Sequence, residues 1–144
     1  MEQMANIVRM LGGERILGRK VSSTADLIPI LRSGLKYRSL EAIIHKLDIS
    51  TDDVLKSLGL PVRTMARRKD EKHLTADESD RFYRLARIVT HAEDVFSDMN
   101  KVRRWLAHTN RALGGATPLS LLGTDEGARQ VDNILGRIEY GVFS

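Results

Sequence analysis

Apolar residues recur along this chain at the spacing of helices. Between residues 40 and 47, four apolar positions follow the i, i+3, i+4, i+7 pattern that places them on one helix face. The same kind of spacing continues through residues 82–96 and 128–138, and no segment alternates apolar and polar residues as a half-buried strand would. The pattern therefore predicts an all-α fold. The positions that carry it are Leu40, Ile43, Ile44 and Leu47, then Phe82, Leu85, Ile88, Val89, Ala92, Val95 and Phe96, and finally Ala128, Val131, Leu135 and Ile138.

Polar capping residues predict where the helices begin. A Ser or Thr before a helix accepts a hydrogen bond from one of its free N–H groups, and glycine commonly ends a helix. Pro61 is placed to be the first residue of another helix. Gly136 lies inside the last helical pattern, where glycine costs about 1 kcal/mol relative to alanine, so we expect it to mark a close packing contact. The predicted helix starts are Ser23, Ser39, Ser50, Thr75 and Thr124, and Gly34 is a predicted helix end.

Residues 51–69 have the layout of a helix-turn-helix. Gly59 falls where the turn requires a left-handed residue, a conformation that glycine adopts without steric cost. The second helix displays basic residues, and arginine matches both phosphate oxygens and the O6/N7 edge of guanine. The alternative is a solvated basic helix end, which the helix dipole favours. The predicted DNA-binding residues are Arg63, Thr64, Arg67, Arg68 and Lys69.

A charged stretch over residues 63–73 divides the chain. We predict a helical DNA-binding region over residues 1–73 and a second helical region over residues 74–144. The join is short, so we expect the two regions to pack against each other. One small module binds DNA weakly and in a salt-sensitive way, so we expect a homodimer that reads two half-sites about 34 Å apart.

Composition narrows the class of protein. With 144 residues the chain forms one compact domain or two very small ones. It has no cysteine, which excludes disulfides and cysteine catalysis and favours a cytoplasmic location. No apolar run approaches the roughly 18 residues that span a bilayer, so no membrane partner is expected. A net charge of +4 and a pI of about 9.6 are compatible with binding to nucleic acid.

No arrangement of residues supports catalysis, a metal or a cofactor. The glycine pairs at residues 12–13 and 114–115 lack the lysine and the preceding strand of a phosphate loop. No Ser/His/Asp combination is supported by spacing. We therefore expect a protein that is not an enzyme. The four histidines, which are scattered without metal-ligand spacing, are His45, His73, His91 and His108.

The last residues are unusually apolar for the end of a chain. Chain ends are usually frayed and polar, whereas this one carries Tyr140, Val142 and Phe143. Either the segment folds back onto its own core or it is presented to a partner. The residue types alone favour neither arrangement.

Three blocks of the sequence resemble the Xre/MbcA/ParS family of antitoxins. They are residues 58–65 (LGLPVRTM), residues 74–81 (LTADESDR) and residues 114–143, and the resemblance spans about residues 37–144. Members of this family join a helix-turn-helix to a C-terminal domain that covers a RES-domain toxin, an enzyme that consumes NAD⁺, and they repress their own operon. The resemblance therefore implies two partners, a RES-domain toxin and operator DNA.

The resemblance also implies which residues contact the toxin. Residues 139–144 would enter or cover the active-site cleft of the toxin, and Gly141 would give this segment its bend. For Arg137 and Glu139 an ordinary solvated ion pair is the alternative. The implied toxin-binding residues are Arg137, Glu139, Tyr140, Gly141, Val142, Phe143 and Ser144.

Two rival functions stay open. The first is a simple dimeric helix-turn-helix repressor without a toxin partner, in which the last residues pack on their own core. The second is a protein-binding module whose helix-turn-helix no longer binds DNA. These readings differ in whether the last residues inhibit a toxin and whether the basic helix binds DNA.

Overall fold

The computed structural model describes residues 2–141. These residues form an all-α fold, as the apolar spacing predicted, and contain no β-strand; one isolated antiparallel bridge joins Lys36 to His73. Two short 3-10 turns, Arg111–Leu113 and Leu119–Leu121, lie before the last helix. The α-helices are α1 (Glu2–Met10), α2 (Glu14–Leu17), α3 (Thr24–Ser33), α4 (Tyr37–Leu47), α5 (Thr51–Ser57), α6 (Val62–Glu71), α7 (Ala76–Phe96), α8 (Met99–Ala107) and α9 (Asp125–Glu139).

Four of the five predicted caps are confirmed. The side chains of Ser23, Ser50, Thr75 and Thr124 each accept a hydrogen bond from a backbone N–H in the first turn of the helix that follows. At α7 the cap is reciprocal, because the Glu78 carboxylate accepts from the backbone N–H of Thr75 while the Thr75 hydroxyl accepts from that of Glu78. These caps set the starts of α3, α5, α7 and α9.

Two predicted helix starts are wrong. Ser39 does not cap α4: the helix begins at Tyr37 after the extended residue Lys36, and Ser39 is buried inside its first turns. Pro61 is not the first residue of α6, because its ψ of 132° is extended and the helix begins at Val62. At α4 a tertiary contact fixes the first helical residue, because the backbone N–H of Tyr37 donates to the Lys72 carbonyl at 2.9 Å.

Helix α7 is the centre of the fold. It packs against α1, α3, α8 and α9, and so contacts both predicted halves of the chain. Apolar side chains along its 21 residues are fully buried. One continuous core therefore runs from α1 to α9, and the expected packing of the two halves is confirmed. The fully buried apolar residues of α7 are Phe82, Leu85, Ala86, Ile88, Val89 and Ala92.

The first helix belongs to this core. Ile7, Val8, Met10 and Leu11 of the segment around α1 are buried, and α1 packs on α7 and α4. Helix α1, which lies outside the part of the sequence that resembles the antitoxin family, thus covers one side of α7.

Two glycines of α9 have opposite surroundings. A Cβ at Gly127 would lie 1.9 Å from the carbonyl oxygen of Leu121, so α9 approaches the preceding turn at this point. At Gly136 nothing lies within 4 Å of the place a Cβ would take. The expectation of a close contact at Gly136 is therefore wrong, and the contact is at Gly127.

We predict that alanine has opposite effects at these two positions. Gly127→Ala should lower the free energy of unfolding by about 1–3 kcal/mol, because the backbone around Leu121 must shift. Gly136→Ala should raise it by up to about 1 kcal/mol, because alanine is the better helix former and meets no obstacle. Urea unfolding of the two variants measures both effects. A loss of stability in Gly136→Ala equal to that in Gly127→Ala would show that the site at Gly136 is packed.

Candidate functional site

The turn between α5 and α6 has the predicted left-handed glycine. Gly59 has a φ of 71°, and the backbone N–H of Leu60 donates to the Leu55 carbonyl at 2.8 Å. Arg81 of α7 fixes this turn from outside, since its guanidinium donates to the carbonyls of Leu58 at 2.8 Å and Gly59 at 3.2 Å. The crossing of α5 and α6 is thus held by the central helix.

Helix α6 buries one side and exposes basic residues on the other. Met65 is buried against the core, whereas Arg63, Arg67 and Lys69 are exposed and Thr64 is half-buried. Arg63 and Arg67 are one turn apart and therefore lie on the same face. Four of the five predicted DNA-binding residues are thus accessible on or beside this face.

Arg68, the fifth predicted DNA-binding residue, is held by carboxylates. Its Nε donates to the Glu78 oxygens at 2.8 and 3.1 Å, and a terminal nitrogen donates to Glu71 at 2.9 Å. These bonds, first that to Glu78, raise the pKa of the Arg68 guanidinium above its ordinary value. Burial raises the pKa of Glu78, but the hydrogen bonds from Arg68 and the Thr75 N–H outweigh it and leave that pKa lowered. In this structure Arg68 fixes α6 against the start of α7.

The exposed side of α6 also carries an apolar residue that is not among the predicted DNA-binding residues. Val62 is 49% exposed, and Ala66, which is also exposed, follows one turn later. An aliphatic group beside arginines suits the methyl group of thymine in a major groove.

Positive charge is concentrated in the half of the chain that holds this helix. Residues 1–73 contain 14 Lys and Arg against 9 Asp and Glu, a net +5, whereas residues 74–144 contain 9 against 10, a net −1. The +4 of the whole chain therefore arises from the helix-turn-helix half, which favours an anionic partner there.

A second exposed surface lies at the end of α9. Tyr140, at the C-cap, is 81% exposed, and Gly141, which follows it, has a left-handed φ of 72°. Arg137 and Glu139 are also exposed. Four of the seven implied toxin-binding residues are thus exposed at the end of α9, and at Tyr140 the chain does not fold back onto its core. Val142, Phe143 and Ser144 lie outside the described residues.

His91 ties the end of α9 to α7. Its Nδ1 lies 3.1 Å from Asp132 and its Nε2 lies 3.3 Å from Glu139, while Arg87 contacts the same Asp132 at 3.4 Å. The hydrogen bond to Asp132 raises the pKa of His91, burial opposes the rise, and the bond to Glu139 adds to it. Glu139 is therefore paired with His91, and no pair with Arg137 forms among the described side chains.

This histidine makes the anchoring of α9 dependent on pH. The pKa of His91 in the folded protein lies above the ordinary value of about 6.5 for a free histidine. Its contribution to stability is therefore complete below pH 6.5 and is lost as the pH rises through the folded value. The contacts of His91 with Asp132 and Glu139 are therefore strongest in mildly acidic solution.

A shallow groove of about 190 Å³ flanks the exposed side of α9. The turn over residues 110–116 forms one wall, closed by a hydrogen bond from the Gly115 N–H to the Asn110 carbonyl, with both Gly114 and Gly115 left-handed. The glycine pair therefore forms a tight turn. The groove is lined by Ala112, Leu113, Gln130, Asn133, Ile134 and Arg137.

Neither surface offers a metal site among the described side chains. Over residues 2–141, no three His, Asp or Glu side chains are grouped to hold a metal ion. Within the same residues, no helix is long and apolar enough to cross a membrane.

Fold and surfaces together define a helix-turn-helix protein with a second helical binding unit. The family described as the antitoxin Xre-like helix-turn-helix domain matches residues 26–87, and the antitoxin Xre/MbcA/ParS C-terminal toxin-binding domain matches residues 91–141. The first match ends at residue 87 and the second begins at residue 91, and both positions lie inside α7. The boundary between residues 73 and 74 that we expect from the sequence stays a prediction.

Three relatives extend this likeness over most of the chain. An Antitoxin Xre of Photorhabdus laumondii is 38% identical over 132 residues, covering 90% of this chain and 89% of its own. An Antitoxin Xre of Yersinia enterocolitica is 32% identical with the same coverage. A Prs ADP-ribosylating antitoxin of Sphingobium sp. is 26% identical, covering 85% of this chain and 84% of its own. The chain belongs to the Xre/MbcA/ParS family of antitoxins.

Proposed function

We propose that this antitoxin neutralises a RES-domain toxin by covering its NAD⁺-consuming active site with Arg137 and residues 139–144, and that it represses its own operon as a cytoplasmic homodimer. The observation that carries the first part is the exposed Tyr140 at the end of α9, within the region that matches the toxin-binding domain. A free aromatic side chain at this place suits insertion into a partner.

The chemistry of one relative supports a toxin that uses NAD⁺. The relative from Sphingobium sp. is a Prs ADP-ribosylating antitoxin, and ADP-ribosyl transfer consumes NAD⁺ as the donor. A pocket for a dinucleotide is long and narrow. Residues 140–144 reach about 16 Å when extended, at roughly 3.3 Å per residue, and a buried aromatic side chain covers about 150–250 Å². A segment of this length and composition can fill such a cleft.

The geometry beside α9 supports a fixed starting point for the inserted segment. The contact of His91 with Glu139 holds the last helical turn, and Gly141 just after it has a left-handed φ of 72°. A fixed departure point reduces the entropy lost on binding, because only the residues beyond it need to be ordered. Arg137 lines the groove on the other side of α9.

We predict that Tyr140→Ala weakens inhibition of the toxin by at least about tenfold, since truncating an aromatic anchor costs about 1.4 kcal/mol or more. The melting temperature should change little, because Tyr140 is exposed. Inhibition is measured as NAD⁺ hydrolysis by a purified RES-domain toxin from the same operon, titrated with the antitoxin. Tyr140→Phe keeps the ring and should inhibit nearly as wild type does. Full inhibition by Tyr140→Ala would contradict the proposal.

We propose that DNA is read by the first two turns of α6. Arg63 and Arg67 contact bases or phosphates, Thr64 and Lys69 contact the DNA backbone, and Val62 contacts thymine methyl groups. Arg68 keeps α6 in place through Glu78. The exposure of these residues and the net +5 of residues 1–73 support this assignment.

We predict that the double variant Arg63→Ala/Arg67→Ala lowers affinity for the promoter duplex by at least about tenfold. Fluorescence anisotropy at several salt concentrations gives the affinity and its salt slope, which should fall by up to about 1.8 for two phosphate contacts. Arg104→Ala, an exposed arginine of α8, is the control and should bind as wild type. Unchanged affinity and slope in the double variant would favour a protein-binding module whose helix-turn-helix does not bind DNA.

A further inference from the structure

A cationic trough runs along the surface beside α6. Two adjoining grooves, of about 230 and 480 Å³, share Lys36 and His73, and the larger one also reaches Lys69 of α6. We call this feature the basic trough. Its basic side chains are Arg19, Lys36, Arg38, Lys69, Lys72 and His73.

Tertiary backbone contacts assemble the basic trough from distant segments. The N–H of Tyr37 donates to the Lys72 carbonyl at 2.9 Å, and the N–H of Leu74 donates to the Leu35 carbonyl at 2.8 Å. These bonds place the residue before α4 beside the residues after α6, so that Lys36 and His73 are directly paired. Cations from residues 19–38 thereby join cations at the end of α6.

Few carboxylates lie near the cations of the basic trough. All six side chains are exposed, and none forms an ion pair among the side chains described over residues 3–141. Glu41 is the one carboxylate that lines the two grooves, and Asp26 lies near enough to Arg19 to interact with its charge. By contrast, Arg81, Arg84 and Arg87 of α7 each contact an aspartate. Gathering six basic side chains around so few carboxylates costs free energy unless an outside anion binds them.

The basic trough continues from the exposed face of α6. Helical spacing places Val62, Ala66 and Lys69 along one edge of that helix, next to the face that carries Arg63 and Arg67. On this edge Lys69 shares a further groove with side chains of α4. An elongated anion that contacts the arginine face therefore passes into the trough without a break.

We infer that the basic trough binds the phosphate backbone of the DNA that α6 reads, so that Arg19, Lys36 and Arg38 contribute to DNA affinity from outside the helix-turn-helix. This inference rests on the proposed DNA binding. Arg19 precedes the region that matches the helix-turn-helix family, which begins at residue 26. The contacts are to phosphates, because flexible exposed cations in an open groove recognise charge rather than base edges.

The test compares two triple variants that each remove three positive charges. Arg19→Gln/Lys36→Gln/Arg38→Gln changes the trough, and Lys101→Gln/Arg104→Gln/Arg111→Gln changes exposed positions of the C-terminal half. Both are titrated against the promoter duplex and a scrambled duplex of the same length over a series of KCl concentrations. The trough variant should lower the salt slope by up to about 2.7, at about 0.9 per phosphate contact. Its preference for the promoter over the scrambled duplex should change less than threefold. The control should keep the wild-type slope.

The outcomes separate this inference from the proposed function. If wild type binds neither duplex, the proposed DNA binding fails. If wild type binds and the trough variant keeps the wild-type slope, the inference is overturned. It is also overturned if both triple variants lower the salt slope equally, since net charge then explains the effect. A trough variant that binds DNA as wild type does but binds the toxin more weakly, as measured by calorimetry, overturns it as well. If the triple variant of the trough does not give a native circular dichroism spectrum, the single variant Lys36→Gln is used instead. It should lower the salt slope by about 0.9.

Discussion

The burial of α7 on several sides is the constraint on which the rest of the structure depends. Its apolar residues join α1, α3, α8 and α9 into one core. The same helix also sends polar side chains outward to both surfaces: Arg81 to the turn before α6, Glu78 to Arg68, and His91 to the end of α9. A single helix therefore positions both α6 and the end of α9, and a loss of its packing would disturb both.

Much of this architecture follows from local sequence signals. Ser23, Ser50, Thr75 and Thr124 cap helices as predicted, because each cap needs only a side chain and the next turn of backbone. Ser39 has the same chemistry but is buried within α4. The start of that helix is fixed instead by the hydrogen bond from the Tyr37 N–H to the carbonyl of Lys72 at the end of α6. Local signals identify helices well, and they fail where a distant segment fixes the chain.

The candidate site also combines features that local sequence predicts with features that only the fold creates. The basic face of α6 and the apolar residues after α9 are visible in the sequence as residue types. The role of Arg68 is not, because its partner Glu78 lies on the next helix and only the fold brings the two to 2.8 Å. Nor does the sequence show that the close contact of α9 is at Gly127 and not at Gly136, since both are glycines in one helix and differ only in what lies beside them.

The central claim is that residues 140–144 inhibit a toxin while the core folds without them. Cellular NAD⁺ measured during expression of the RES-domain toxin tests it most directly, with either the full chain or a chain ending at Glu139. Equal abundance and equal melting temperatures of the two chains establish that both are folded. The account predicts that the full chain preserves NAD⁺ and growth and that the shortened chain does not. Preservation of NAD⁺ by the shortened chain would contradict it. Depletion of NAD⁺ with the full chain as well as with the shortened chain would also contradict it.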